Sequence, residues 1–222
     1  YIKVYVEDSN GRVSSEYVTS EETTQTGADY IIDTVYTTDG ANGLYYHDGV
    51  GTYTNASEEA GDNSYRYSGA DPNNYVCFGS NRSTCPEDNL YRIIGLFDDD
   101  KDGTYNIKLI KWTNYDGEYW AFPSITDSST WESNEVNLKL NTDYWNSFDN
   151  TWQTLIKFHN WQVGGMEEGR YNTVKDYYII EVGSNSLNIT YSDEIGLMYV
   201  SDYGYASSPD NWTTALYDYD DR

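Results

Sequence analysis

The chain is poor in the residues that most often carry chemistry. Its 222 residues include two cysteines and two histidines, and Lys and Arg together number 13 against 37 Asp and Glu, a net charge of −24. The acidic residues are spread along the chain rather than gathered in a tail. This charge argues against nucleic acid as a partner, because a phosphate backbone needs a basic face to release its counterions, and it disfavours anionic membranes for the same reason. No apolar run approaches the roughly 20 residues of a bilayer-spanning helix, and no signal peptide opens the chain. The sequence holds no G-x-S-x-G, no H-E-x-x-H and no phosphate-binding glycine loop, which argues against the enzyme classes built on those motifs. Close carboxylate pairs say nothing here, since 37 acidic residues make one almost certain in any fold.

What the chain has in abundance is rings. There are 25 Tyr, 7 Trp and 5 Phe against an overall hydrophobic content of 38%, so the interior must be built largely from aromatic side chains with polar tips, which favour strands. The two cysteines, Cys77 and Cys85, enclose a turn-rich interval that does not match the C-x-x-C spacing of zinc or thioredoxin-type sites. A disulfide is the best reading, with two free buried thiols as the alternative. Closing so short a loop removes on the order of 2–3 kcal/mol of unfolded-chain entropy, and such bonds persist in oxidising compartments. The expected address is therefore extracellular, at a cell surface.

Residues 1–19, YIKVYVEDSNGRVSSEYVT, put Ile2, Val4 and Val6 on one strand face, turn at Ser9-Asn10-Gly11 and resume at Val13. They read as the end of an upstream immunoglobulin-like or pilin-like β unit, and the chain as a mature or trimmed segment of a longer surface protein. Residues 20–27 read as a linker, with Thr26 placed to cap a short helix over 28–36. Residues 28–222 then form one Tyr-rich α+β domain, β-rich and irregular, with a few short helices. Between 37 and 74 the Gly, Asn and Asp content predicts loops and little regular structure. Strands are predicted at Leu90–Phe97 and Tyr105–Trp112, central in the sheet and joined by DDDKDG, with shorter ones at 119–123, 135–140 and 195–200. From Thr142 to His159 the aromatic and apolar residues recur at helical steps, with a break near Asn150. Residues 174–182 read as helix passing into strand.

The segments NNYVCFGS, TCPEDNLYRIIGLFDDDKDG and IGLMYVSDYGYASSPDNWTTALY resemble a family of secreted or surface proteins of gut-type Firmicutes, many of which carry a prepilin-type N-terminus. The resemblance spans roughly residues 40–218, with both cysteines, the YRIIG strand and the GLMYVSDYGYA run in order. It implies an extracellular surface or filament role and, where the family region continues into a further strand-rich half, similarity to the C-type-lectin-like fold. It supplies no catalytic residues.

Three groups of residues are candidates for binding. Asp98, Asp100 and Asp102, followed by Gly103, repeat the first half of a D-x-D-x-D-G calcium loop, but Leu109 stands where the bidentate Glu belongs, so a solvated hairpin turn is the competing account. Calcium is the one cofactor this pattern suggests. Trp112, Tyr115, Tyr119 and Trp120 could form a platform on which sugar rings stack, or could simply fill space beneath a loop. The histidines have no motif around them: His159 is expected on the apolar face of a helix, and His47 in a loop beside Asp48 or a tyrosine. The expected function is non-catalytic, the structural subunit of a pilin-like surface appendage that assembles with copies of itself. The alternative is an adhesin module with a lectin-like fold recognising a glycan or host protein, and a secreted glycan hydrolase is a distant third.

Overall fold

Thr26 starts the first element as expected. Its hydroxyl accepts from the Asp29 N–H while the Asp29 carboxylate accepts from the Thr26 N–H, a reciprocal cap at the start of α1 (Gly27–Thr34) that contributes about 1 kcal/mol. The computed structural model describes residues 26–48, 60–99, 101–113, 128–163, 172–182 and 189–219. Residues 1–25 and the strand expected at 119–123 lie outside them.

The helix covers one face of a curled antiparallel sheet that forms half of a barrel, so the domain is α+β. The strands are β1 (Leu44–Tyr46), β2 (Tyr65–Tyr67), β3 (Tyr75–Cys77), β4 (Leu90–Phe97) and β5 (Asn106–Lys111). β4 lies at the centre. Along one side it pairs first with β3, in the register Tyr75↔Arg92, and then with β2, in the register Arg66↔Gly95, while β5 runs along its other side. Among the described residues β5 pairs with β4 alone, so it forms an edge rather than sharing the centre. The loop-rich expectation for 37–74 missed β1 and β2, which are three residues each. A register shift between Ile93 and Gly95 keeps both Ile93 and Leu96 on the α1 face. Gly95 is required there, because a Cβ would stand 2.4 Å from the Tyr65 carbonyl oxygen. The core on this face joins Ala28 and Ile31 of α1 to Leu44, Tyr67, Ile93 and Leu96, with the Tyr36, Tyr46, Tyr65 and Tyr105 rings packed tilted or edge to face at its border.

After the sheet come α2 (Ser128–Glu132), α3 (Glu135–Leu138), a π-helical turn over Lys139–Tyr144, a 3-10 turn over Trp145–Ser147 and α4 (Asn150–Gln153). The strand expected at 135–140 is thus helical. The alternation Val136, Leu138, Leu140 misleads because Asn137 is the buried member and Leu138 is exposed; Asn134 caps the helix by accepting from the Val136 N–H. The helical stretch expected from Thr142 to His159 does break near Asn150: Phe148 is extended, and Asp149 caps α4 anew by accepting from Thr151 and Trp152, but Thr142 lies inside the π-helical turn rather than at a cap, and His159 belongs to a strand.

The chain then forms β6 (His159–Val163), α5 (Val174–Val182), β7 (Ile189–Asp193) and α6 (Val200–Ala206), with β6 and β7 antiparallel in a second, two-stranded sheet. α5 is helical to its end, with no passage into strand. The strand expected at 195–200 does not form: the Asn141 side chain bonds both the N–H and the carbonyl of Ile195, Gly196 packs so closely on Trp161 that a Cβ would stand 2.2 Å from the ring, and Val200 begins α6. α5 and α6 pack closely through Gly204, where a Cβ would come 2.5 Å from Val174. A second core forms around Val174, Tyr178, Tyr205 and Trp212.

Candidate functional site

Alternation along β2 decides where its middle residue points. Tyr67 packs into the α1 core, with Tyr65 against its border, so Arg66 emerges on the opposite face of the sheet. There it is 3% exposed and meets two carboxylates: Nη2 donates to Asp62 at 2.8 Å and Nη1 to Asp202 of α6 at 3.1 Å. The second Asp202 oxygen accepts from Lys108 of β5 at 2.6 Å and from the Tyr199 N–H. Asp62 also accepts from the Ser64 hydroxyl and from Tyr178. The Arg66 guanidinium lies over the rings of Phe97, Tyr178 and Tyr205, and the Lys108 ammonium over Tyr199 at 4.2 Å. Burial works to raise Asp62, but Arg66 and the Ser64 hydroxyl hold it at about 2. Burial would likewise pull Arg66 down, and Asp62 and Asp202 hold it above its ordinary value.

These groups tie β2, β5 and α6 together and are consumed by one another. Glu181 is spent in the same way. Both its oxygens accept from the first N–H groups of α6, on Val200 and Ser201, and burial raises its pKa against those bonds.

Both histidines hold structural positions. His47 is fully buried, stacked against Tyr205 and Trp212, and its Nδ1 accepts from the Ala60 N–H. Its expected partner, Asp48 or a tyrosine hydroxyl, is replaced by that backbone group. Burial, assisted by the charge of Arg66, lowers its pKa to about 3. His159 sits at the start of β6 rather than on a helix, its ring against Trp161 and its Nδ1 3.4 Å from Asp99.

The expected binding residues separate. In the β4–β5 turn both oxygens of Asp98 accept backbone N–H groups, from Asp102 and Gly103, while Asp102 accepts from Thr104. This is the bonding of a tight hairpin turn. Asp100 lies outside the described residues, and among those described no cluster of three or more His, Cys, Asp or Glu is arranged around a metal position.

Of the aromatic group, Tyr115, Tyr119 and Trp120 lie outside the described residues, and Trp112 finds a different partner. It stands just past β5, 47% exposed, and meets Tyr75 of β3, 42% exposed, with ring centroids 5.3 Å apart at 68°. Arg92 of β4 lies over the Tyr75 ring at 5.1 Å, fixed by an Nε bond to the Asn74 side chain. Cys77 and Cys85 are joined, with Cα atoms 5.7 Å apart, so the disulfide pins the strand that carries Tyr75. Sequence reading missed Tyr75 and Arg92. The available signal was alternation: Arg92, between the buried Tyr91 and Ile93, must face the other side of the sheet.

Comparison with known protein families, with curated proteins and with solved structures finds no match. No helix among the described residues is long and apolar enough to cross a membrane.

Proposed function

We propose that the chain is an extracellular, non-catalytic recognition domain, an adhesin-type module of a surface protein that holds a glycan or protein ligand against an exposed aromatic surface. The observation that carries this reading is the Tyr75–Trp112 pair, two large rings left open to solvent in mutual contact, Tyr75 on a strand anchored by a disulfide and Trp112 just past β5. Rigid aromatic rings of this kind provide contact area at little cost in conformational entropy. The disulfide supports the extracellular address. The positions of His47 and Glu181, both buried and bonded to backbone N–H groups, accord with a role in holding the fold. The test is binding of the labelled domain to a broad glycan array and to epithelial surfaces, alongside Trp112→Ala. Binding that Trp112→Ala abolishes at an unchanged melting temperature is expected; binding unaffected by the substitution would refute the role of the pair.

A second reading, the subunit of a pilin-like filament, draws on a different observation. Phe158, just before β6, and Leu197 and Met198, beyond β7, are exposed apolar side chains past the His159↔Asp193 end of the β6–β7 pair. Neighbouring copies would bury them. Ordered fibres in electron micrographs, lost in Phe158→Asp, are the outcome that reading requires.

A further inference from the structure

The charge beside the aromatic pair is out of keeping with the rest of the molecule. In a chain with 37 acidic residues and 13 basic ones, a partly buried cation should find a carboxylate, and Arg66, Lys108, Lys111 and Lys139 all do. Arg92 does not. Among the described residues no carboxylate pairs with it; its Nε is used by Asn74 and its guanidinium plane by Tyr75, which leaves the Nη groups as donors without an anionic partner. A guanidinium held in place on an aromatic ring presents a preformed fork for a carboxylate. The Asn74 bond and the Tyr75 ring contact hold it in place on the strand.

From this we infer that the platform of Tyr75, Trp112 and Arg92 takes a carboxylated saccharide, a uronic- or sialic-acid residue whose ring packs on the exposed aromatic surface while its carboxylate accepts from the Arg92 Nη groups. The inference rests on the recognition reading above and names its ligand class. Charge complementarity selects this occupant. A neutral sugar would use the rings but leave the guanidinium unmatched, and a second copy could supply a carboxylate only by bringing one whole −24 chain against another, a repulsion that a small saccharide avoids. The net negative field does not prevent binding of a small anion, since at physiological salt it is screened beyond about 8 Å, and within that distance the Arg92 cation dominates.

The residues around the platform make the arrangement robust. Asn74, which orients Arg92 through its side-chain oxygen, is buried and donates from its amide to the Ile93 carbonyl, so the guanidinium is positioned by a group that is itself fixed. Tyr75 pairs across the sheet with Arg92, and Arg92 with Ile110 on β5. Ring and cation are therefore set by strand register rather than by a loop.

The experiment is binding of the full chain, at physiological salt, to dense arrays of sialyllactose and tetragalacturonate, with lactose and cellotetraose as neutral counterparts. The expected result is binding to the carboxylated probes over the neutral ones. Arg92→Gln should reduce binding to the carboxylated probes about tenfold or more and erase the selectivity, and Trp112→Ala should remove binding to both kinds. Arg92→Lys keeps the charge without the fork and should lose most of the same preference; it serves as the readout if Arg92→Gln melts early. Binding to neutral probes alone, lost in Trp112→Ala, would overturn the anionic inference while leaving the recognition reading intact. No binding to any saccharide overturns the anionic inference, and no binding to epithelial surfaces as well overturns both. So does a concentration-dependent dimer that Trp112→Ala converts to monomer, which would put a second copy on the platform.

Discussion

Lowering the pH from about 7 to about 5 should cost this fold roughly 2 kcal/mol through one residue, His47. In the unfolded chain its imidazole titrates near 6.5, and in the fold, buried against Tyr205 and Trp212 with Arg66 nearby, near 3. The folded pKa is the lower one, so below 6.5 the unfolded chain binds the proton more tightly. His47 therefore imposes little penalty above that pH, costs about 1.4 kcal/mol for each unit of descent, and reaches about 4 kcal/mol in total by pH 3. Other groups move as well. Glu181, raised by burial, acts in the opposite direction, because its cost above its ordinary value is relieved as the pH falls; Asp62, held at about 2, loses its contribution only below 3.8. Comparison with His47→Gln isolates the histidine, since glutamine offers a carbonyl to the Ala60 N–H and does not titrate. Urea unfolding followed by tryptophan fluorescence, with the disulfide intact, gives the stability of each protein at both pH values. The wild type should lose about 2 kcal/mol more than the variant between them. Equal losses, or an NMR titration placing His47 near its ordinary value, would refute the reasoning.

The ion network makes a prediction of order as well as size. Asp202→Asn strips the carboxylate that Arg66 and Lys108 share and should cost about 3–5 kcal/mol, whereas Lys108→Met should cost less, because Asp202 keeps Arg66 and the ammonium lies nearer the surface; urea midpoints in the reverse order would count against the network. For the disulfide, intact mass under non-reducing conditions should fall two hydrogens below the sequence mass, and Cys77→Ser with Cys85→Ser should lower stability by about 2–3 kcal/mol. Two alkylatable thiols in the native protein would contradict the bond.

Local signals were legible wherever chemistry and position coincided. Thr26 announced the start of α1 as its cap, and Leu90–Phe97 became β4 at the expected bounds because its β-branched, leucine and aromatic residues lie between turn-forming neighbours. The break before Asn150 was real and has a cause in the Asp149 cap. Signals failed where a polar residue was buried for its bonds. Asn137, held among Asn141 and Tyr191, made helical α3 look like an alternating strand. The Arg66–Asp202 pair joins residues 136 positions apart, and no pattern in one sequence marks which charges will be buried together. Trp112 was grouped with Tyr115, Tyr119 and Trp120 because they are near in sequence, but its ring partner comes from β3 across the width of β4, a neighbour fixed by strand register alone.

That β4 borders β3 with one half of its length and β2 with the other gives the molecule a division of labour. The half near Gly95 is tied into the Arg66 network and tolerates few changes. The half near Arg92 carries rings and a cation on open ground, braced by sulfur instead of by the interior. Substitutions can accumulate on that outlying half without unsettling the charges that lock the rest, so a lineage could vary its rings and cation while inheriting its spine unchanged.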